Sequence, residues 1–314
     1  MDGVCSRFAR DYAAARRKFK AAAQLAGLDV ETHLHPFAGP DGEQLANDTV
    51  WIGARDASRV LVVTAGTHGP ELFCGSGAQI DLMLNWRAAD FPGVSVLLCH
   101  GVNPYGTAWL RRGNEDNIDI NRNYIDFSRS LPRNPGYEEL HDDFVPPSGG
   151  AEALLAADAR IEAYGARHGV PALRIATSGG QYTRPDGMFY GGTAPSWSRR
   201  TMTLQRTGKS ATPPQQGLSS ELWERSCGRN SAYVSFEYGT VPTPDVIGAL
   251  RAEHMLHRQG RNDWRDAEVQ RVKRGLLDAF APDDPTWREM VILQSRAILS
   301  RIARGLSREP GSGR

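Results

Sequence analysis

Two stretches, R-V-L-V-V-T-A-G at 59–66 and G-V-S-V-L-L-C-H at 93–100, are apolar almost throughout and bounded by glycine. Runs of that length suit strands covered on both faces, so 59–65 is expected in the interior of a sheet. An earlier segment, L-D-V-E-T-H-L-H-P at 28–36, alternates as a half-buried strand does, and the turn signal G-P-D-G follows at 39–42. V-W-I-G at 50–53, P-A-L-R-I-A-T-S at 171–178 and A-Y-V-S-F-E-Y-G-T at 232–240 are read as further strands. Helical patterns cover the opening segment up to Gly27, then 72–88, 151–168, 243–258, 263–280 and 285–304.

The connecting segments differ in character. Residues 128–150 are proline-bearing loop, 179–192 a glycine-dense turn region, and 198–217 lacks any period. W-L-R-R-G-N-E-D-N-I-D-I-N-R-N-Y at 109–124 is too polar for a core element and is expected as a solvated loop. The pattern predicts an α/β chain. It forms a single domain over 1–304, followed by a polar, disordered tail at 305–314.

Composition narrows the class. With 37 basic and 36 acidic side chains among 314 residues the net charge is +1, which gives no reason to expect nucleic acid or a membrane surface as partner. The N-terminal segment lacks the apolar core of a secretory signal, and no apolar run approaches the roughly 20 residues of a membrane span. Cys5, Cys74, Cys99 and Cys227 are scattered and form no CxxC pair, so a reduced, cytoplasmic protein is expected. The substrate is then small or peptidic.

Candidate chemistry gathers where strands end. His68 and Glu71, in T-H-G-P-E-L, follow the run 59–65, and ligands of open α/β sheets collect outside the carboxyl ends of strands. Alone, the pair reads equally as a loop histidine and a first-turn helix acid. His33 and His35 read as surface histidines of an edge strand. His254 and His257, three apart, read as cations at a helix C-terminus.

Three segments occur in order: H-G-P-E at 68–71, N-P-Y-G-T-A-W-L-R-R-G-N-E-D-N-I-D-I-N-R-N-Y at 103–124, and F-E-Y-G-T at 236–240. Together they resemble the zinc metallocarboxypeptidase family of the carboxypeptidase A type, in particular a bacterial branch of carboxypeptidase-like proteins, over residues 10 to 300. The resemblance implies a three-layer α/β/α sandwich around a mostly parallel mixed sheet, with zinc at the strand ends and His68 and Glu71 as ligands. Asn121 and Arg122 would grip a free carboxylate, Arg111 or Arg112 would polarise the scissile carbonyl, and Glu237 would be the general base. Gln181, Tyr182 and Tyr190 are expected to line the site, where a tyrosine hydroxyl could donate to substrate. The expected substrate is a peptide or a small carboxylate-bearing amide, such as an N-acyl amino acid.

Catalytic zinc takes three protein ligands and keeps a fourth position for water, so the chemistry suits these residue types. Glu237 sits among apolar neighbours in sequence, where desolvation would raise its pKa towards the working range of a base. The resemblance breaks at one point. The family's third ligand, a histidine in an Asp-x-His-Thr-Gly-like segment, has no counterpart, and no histidine lies between His168 and His254. Relative to the family the chain lacks a strand near residues 200–210. His100, Asp186 or another carboxylate, or a partner chain are the candidate substitutes. A catalytically degenerate protein that binds a carboxylate without metal is the alternative.

Overall fold

The computed structural model describes residues 2–207 and 234–307, and these divide into two compact units, Met1–Leu110 with Phe280–Arg314 and Arg111–Ala279. In chain order the elements are α1 (Asp2–Cys5), α2 (Tyr12–Leu25), β1 (Val30–Ala38), β2 (Gln44–Ile52), β3 (Arg59–Ala65), α3 (Leu72–Asn85), β4 (Val94–His100) and α4 (Pro104–Ala108). There follow α5 (Pro135–Phe144), α6 (Ala151–His168), α7 (Val170–Ser178), α8 (Trp197–Thr207), α9 (Thr243–Arg258), α10 (Ala267–Phe280) and α11 (Pro285–Ser307).

The first unit is α/β. Its sheet runs β1-β2-β4-β3, with β1–β2 and β2–β4 antiparallel and β3–β4 parallel. The expected mostly parallel sheet is therefore corrected to a mixed one in which antiparallel pairing prevails among the described residues. The reason is local: the Gly39–Gly42 turn folds β1 back onto β2 as a hairpin, and only the β3–α3–β4 passage is a crossover. The interior position expected for β3 falls instead to β2 and β4, all of β4 being buried, while β3 is an outer strand of the described sheet. Phe19 and Ala23 of α2, Ile80 and Met83 of α3 and Leu299 and Ala303 of α11 share one core cluster with Val50, Leu61, Val96 and Leu98 of the strands. That core draws apolar faces from helices and sheet alike.

Charge is built into this core. Asp48 on β2 is fully buried, yet Arg16 holds it with Nε at 2.6 Å and Nη2 at 3.2 Å, and Thr32 donates at 2.6 Å. Burial alone would raise its pKa; the bonds from Arg16 and Thr32 outweigh that and hold it below the usual carboxylate value. Arg296 of α11 and Arg7 likewise converge on buried Asp81 of α3. The C-terminal helix is thereby tied to the unit in which the chain starts.

The second unit is helical with long connecting loops. Four predicted segments differ here. Residues 171–178, read as a strand, form α7, in which the more enclosed Leu173, Ala176 and Thr177 stand at i, i+3 and i+4, as on one helix face. Residues 135–144, read as loop, form α5: Asn134 caps it by accepting from the Tyr137 amide at 3.1 Å, and Pro135 fits the first turn. Of the aperiodic 198–217, residues 198–207 form all but the first residue of α8. Residues 234–240 form no strand, and 232–233 and 208–233 as a whole lie outside the described residues. No helix among the described residues is long and apolar enough to cross a membrane.

Replacing Asp48 by Ala strands the Arg16 guanidinium and the Thr32 hydroxyl beside the core. The expected loss is about 3–5 kcal/mol in urea unfolding at pH 7. Asp41→Ala in the exposed hairpin turn serves as the control and should change stability by less than about 0.5 kcal/mol.

Candidate functional site

The first unit carries the His68–Glu71 pair. β3 ends at Ala65, and Gly66 follows with φ +76°, where a side chain would meet Leu72 at 3.0 Å, so glycine alone turns the chain here. Residues Gly69–Glu71 then form one 3-10 turn with Pro70 in its first positions. With three residues per turn, side chains i and i+3 stack over each other. His68 Nδ1 accordingly lies 2.9 Å from both Glu71 oxygens. The imidazole is buried and the carboxylate is 40% exposed, which leaves the pair open on the Glu71 side.

The turn is fixed from behind. The Ala65 carbonyl accepts from the Gly101 and Val102 amides, each at 3.1 Å, and the Gly66 carbonyl from the Asn103 amide at 2.8 Å. Asn103 is fully buried, and its side chain caps α4 by accepting from the Gly106 amide. Thr107 of α4 donates back to the Gly69 carbonyl at 3.1 Å.

Two donor residues within 2.9 Å of each other fit two of the three protein positions of a catalytic zinc, whose bonds of about 2.0–2.2 Å let one ion touch both. Among the described residues no group of three or more His, Cys, Asp or Glu side chains is gathered for one ion. His100 is spent elsewhere: its Nε2 is 3.0 Å from Ser76 Oγ, its ring stacks on Phe19 at 4.3 Å, and burial pushes its pKa down to about 4. The Ser76–His100 pair is itself enclosed in the core, so it does not act as an exposed nucleophile and base. Asp186, in the second unit, faces Arg258 at 3.2 Å and His141 at 3.5 Å.

The second unit holds the Asn-rich stretch, and it is not solvated. Asn114, Asn117, Asp119, Ile120 and Asn123 are all buried. Asn117, with φ +60°, donates to the Pro185 and Gly187 carbonyls and accepts from Arg111 Nη2 at 2.8 Å. Asn123 donates to the Gly191 and Ala194 carbonyls and accepts from the Ser196 amide. The asparagines replace a hydrogen-bonded ladder for a buried loop, which is why so polar a run can leave water.

The R-R pair divides. Arg111 is buried against Glu253, with Nε at 3.0 Å from Oε1, and Lys273 approaches the same oxygen at 2.5 Å. Burial would raise the Glu253 pKa; Lys273 and Arg111 overcome it and hold it at about 2. Arg112 pairs with Asp119 at 2.9 Å and lies over the Phe189 ring. Arg112, Asn117, Asp119, Phe189, Glu253 and His254 line a void of about 20 Å³, room for one water. Asn117 and Phe189 both adopt positive φ there, a strain of about 1–3 kcal/mol each that the surrounding bonds sustain.

Asn121 is exposed at a turn capped by Asp119, and Arg122 donates to the Ser178 carbonyl at 2.6 Å. Tyr182 donates to the Arg122 carbonyl at 2.7 Å, and Tyr190 is buried with its carbonyl accepting from the Asp119 amide. Gln181 closes the same glycine-rich loop by bonding Arg184. Glu237 is exposed and lies on residues without regular structure, with Val234 and Phe236 exposed beside it. The apolar strand expected around it is absent from 234–240.

His254 and His257 are not helix-end cations. They occupy, with Leu250 and Glu253, the i, i+3, i+4, i+7 stripe of α9, the face a helix turns inward. Burial pushes His254 down to about 3 and His257 to about 4. That stripe, legible in the sequence, is the signal that Glu253 belongs to a buried network.

A fold of this class, α/β with a histidine–carboxylate pair at a strand end, is as far as architecture goes. The chain belongs to the family described as "Protein of unknown function (DUF2817)", whose model matches residues 8–204 and 201–294. No curated protein and no solved structure gives a significant match.

A histidine whose pKa is lower folded than unfolded carries fewer protons in the fold. Its stabilising contribution is complete above the ordinary value of 6.5 and is lost as the pH falls towards the folded value. His254 alone should remove about 1.4 kcal/mol per pH unit across that window. Thermal midpoints measured from pH 7.5 to 4.5 should fall below pH 6.5, and His254→Gln should flatten the slope.

Proposed function

We propose that the protein is a metal-dependent hydrolase of the carboxypeptidase type, cleaving the amide of a peptide or an N-acyl amino acid that carries a free carboxylate. The observation that carries the reading is the approach of His68 Nδ1 to both Glu71 oxygens at 2.9 Å on a loop at a strand end. His68 and Glu71 would hold zinc, which when bound lowers the pKa of its water and polarises a carbonyl. The two matched stretches of the family model overlap at residues 201–204, within the 200–210 region where the carboxypeptidase resemblance would have its third ligand.

The remaining roles rest on motif. Arg122 would take the substrate carboxylate, for which a guanidinium fork is suited, and Glu237 would carry the proton to the leaving amine. Arg111, engaged with Glu253, is better suited to anchoring its loop, which leaves Arg112 as the arginine for the carbonyl. The exposure of Glu237 and the two-residue donor set favour a second reading, a non-catalytic protein that binds a carboxylate through Arg122 without metal.

Zinc content after exhaustive dialysis, measured on the full chain and on His68→Ala, separates the two. The hydrolase reading expects about one zinc per chain, lost in the variant, and chelator-sensitive release of amino acid from N-acyl amino acids. Arg122→Ala should then raise KM roughly 10- to 100-fold. A chain that takes up no zinc when offered it, yet binds N-acyl amino acids, is the non-catalytic protein.

A further inference from the structure

We propose that Gly180 is a positioning residue for Arg122, the floor on which the guanidinium that takes the substrate carboxylate is seated; the inference rests on the assignment of that carboxylate to Arg122 above, which the hydrolase and the non-catalytic readings share. Both residues belong to the second unit. Gly180 is buried and left-handed, with φ +88°, and a Cβ there would stand 2.5 Å from Arg122 Cδ, 3.0 Å from Nε and 3.2 Å from Cγ. The arginine shaft crosses the glycine with no room for a methyl group between them.

The floor itself is fixed. Asn134 Nδ2 donates to the Gly180 carbonyl at 2.9 Å and to the Ile175 carbonyl at 3.0 Å, and the Gln181 amide donates to the Phe189 carbonyl at 3.1 Å. A side chain at position 180 is therefore accommodated by the flexible arginine and not by the backbone beneath it. Over this floor Nη2 donates to the Ser178 carbonyl at the C-terminus of α7, where the helix dipole favours a cation. Nη1 reaches only the Asn121 carbonyl, at 3.5 Å, and no acid pairs with Arg122 among the described residues. Asp119, on the same turn, is engaged by Arg112 and by the Asn121 amide. A half-buried guanidinium held in one orientation and not neutralised by an acid suits a carboxylate, which it can meet with two parallel bonds.

NMR titration of the metal-stripped full chain with N-acetylglycine tests the seat, since a carboxylate held by Arg122 needs no metal. Gly180→Ala should weaken binding roughly tenfold, the range of one charge-assisted bond. In the Arg122→Ala chain the same change should have no further effect, because it acts through that side chain. Gly260→Ala, at another left-handed glycine of this unit with nothing within 4 Å of a Cβ, introduces the backbone strain without the contact and should leave the affinity unchanged. The crystal structure of Gly180→Ala should show Arg122 Nη2 displaced from the Ser178 carbonyl over an unmoved backbone. A residue that only shapes the fold would weaken binding equally with and without Arg122. That result, native affinity in Gly180→Ala, or Arg122 still on the Ser178 carbonyl in that variant overturns the seat and keeps Arg122 as the anchor. Native affinity in Arg122→Ala, or no binding of N-acetylglycine to the native chain, removes the carboxylate assignment and the seat with it.

Discussion

One carbonyl organises the first unit. Ala65, the last residue of β3, accepts two amides from the segment leaving β4, and the next carbonyl, that of Gly66, accepts a third. Two parallel strands end at the same level, so their loops emerge together and would have no fixed geometry without such a clasp. With it, the His68–Glu71 turn, the Asn103 cap and the short helix bearing Tyr105 are held as one piece. The left-handed Gly66 is the condition for the clasp, since a side chain there would strike Leu72.

Both units bury charge, with different results. Asp48, on the interior strand β2, accepts from Arg16 and Thr32, so its ionised form is stabilised. Glu253 faces two buried cations at once, which keeps it ionised but leaves Lys273 pushed below its ordinary pKa by burial. Hydrogen-bonded networks of this type cost stability to desolvate and in return tolerate few rearrangements. In the second unit that rigidity coincides with the left-handed Asn117 and Phe189, which need a surround that over-determines them.

Run length and period make β1, β3, β4, α3, α6 and the C-terminal helices legible, because a strand or helix long enough to show its period is governed by its own buried face. The position of β3 in the sheet is not legible: an apolar strand packed on both faces looks the same whether or not its edge is paired. Residues 171–178 mislead because Ala, Leu and Ile fit a short buried strand as well as a helix, and only the spacing of Leu173, Ala176 and Thr177 decides. The Asn-rich stretch misleads more deeply. Polarity there signals internal hydrogen bonding rather than exposure, and partners such as Gly187 and Gly191 lie some 70 residues away, beyond any local pattern. Of the candidate site, the spacing of His68 and Glu71 is enough to foresee their contact, since a turn of three residues eclipses them. The split duties of Arg111 and Arg112 depend on α9, whose inward stripe carries Glu253.

The central claim is that His68 and Glu71 are donors to a single metal ion. Crystals of the protein soaked in zinc and measured on both sides of the zinc absorption edge test it directly. An anomalous peak about 2.0–2.1 Å from His68 Nδ1 and in reach of a Glu71 oxygen is the predicted result. Full zinc exposure with no peak at that turn, and His68 still bonded to Glu71 alone, would contradict it.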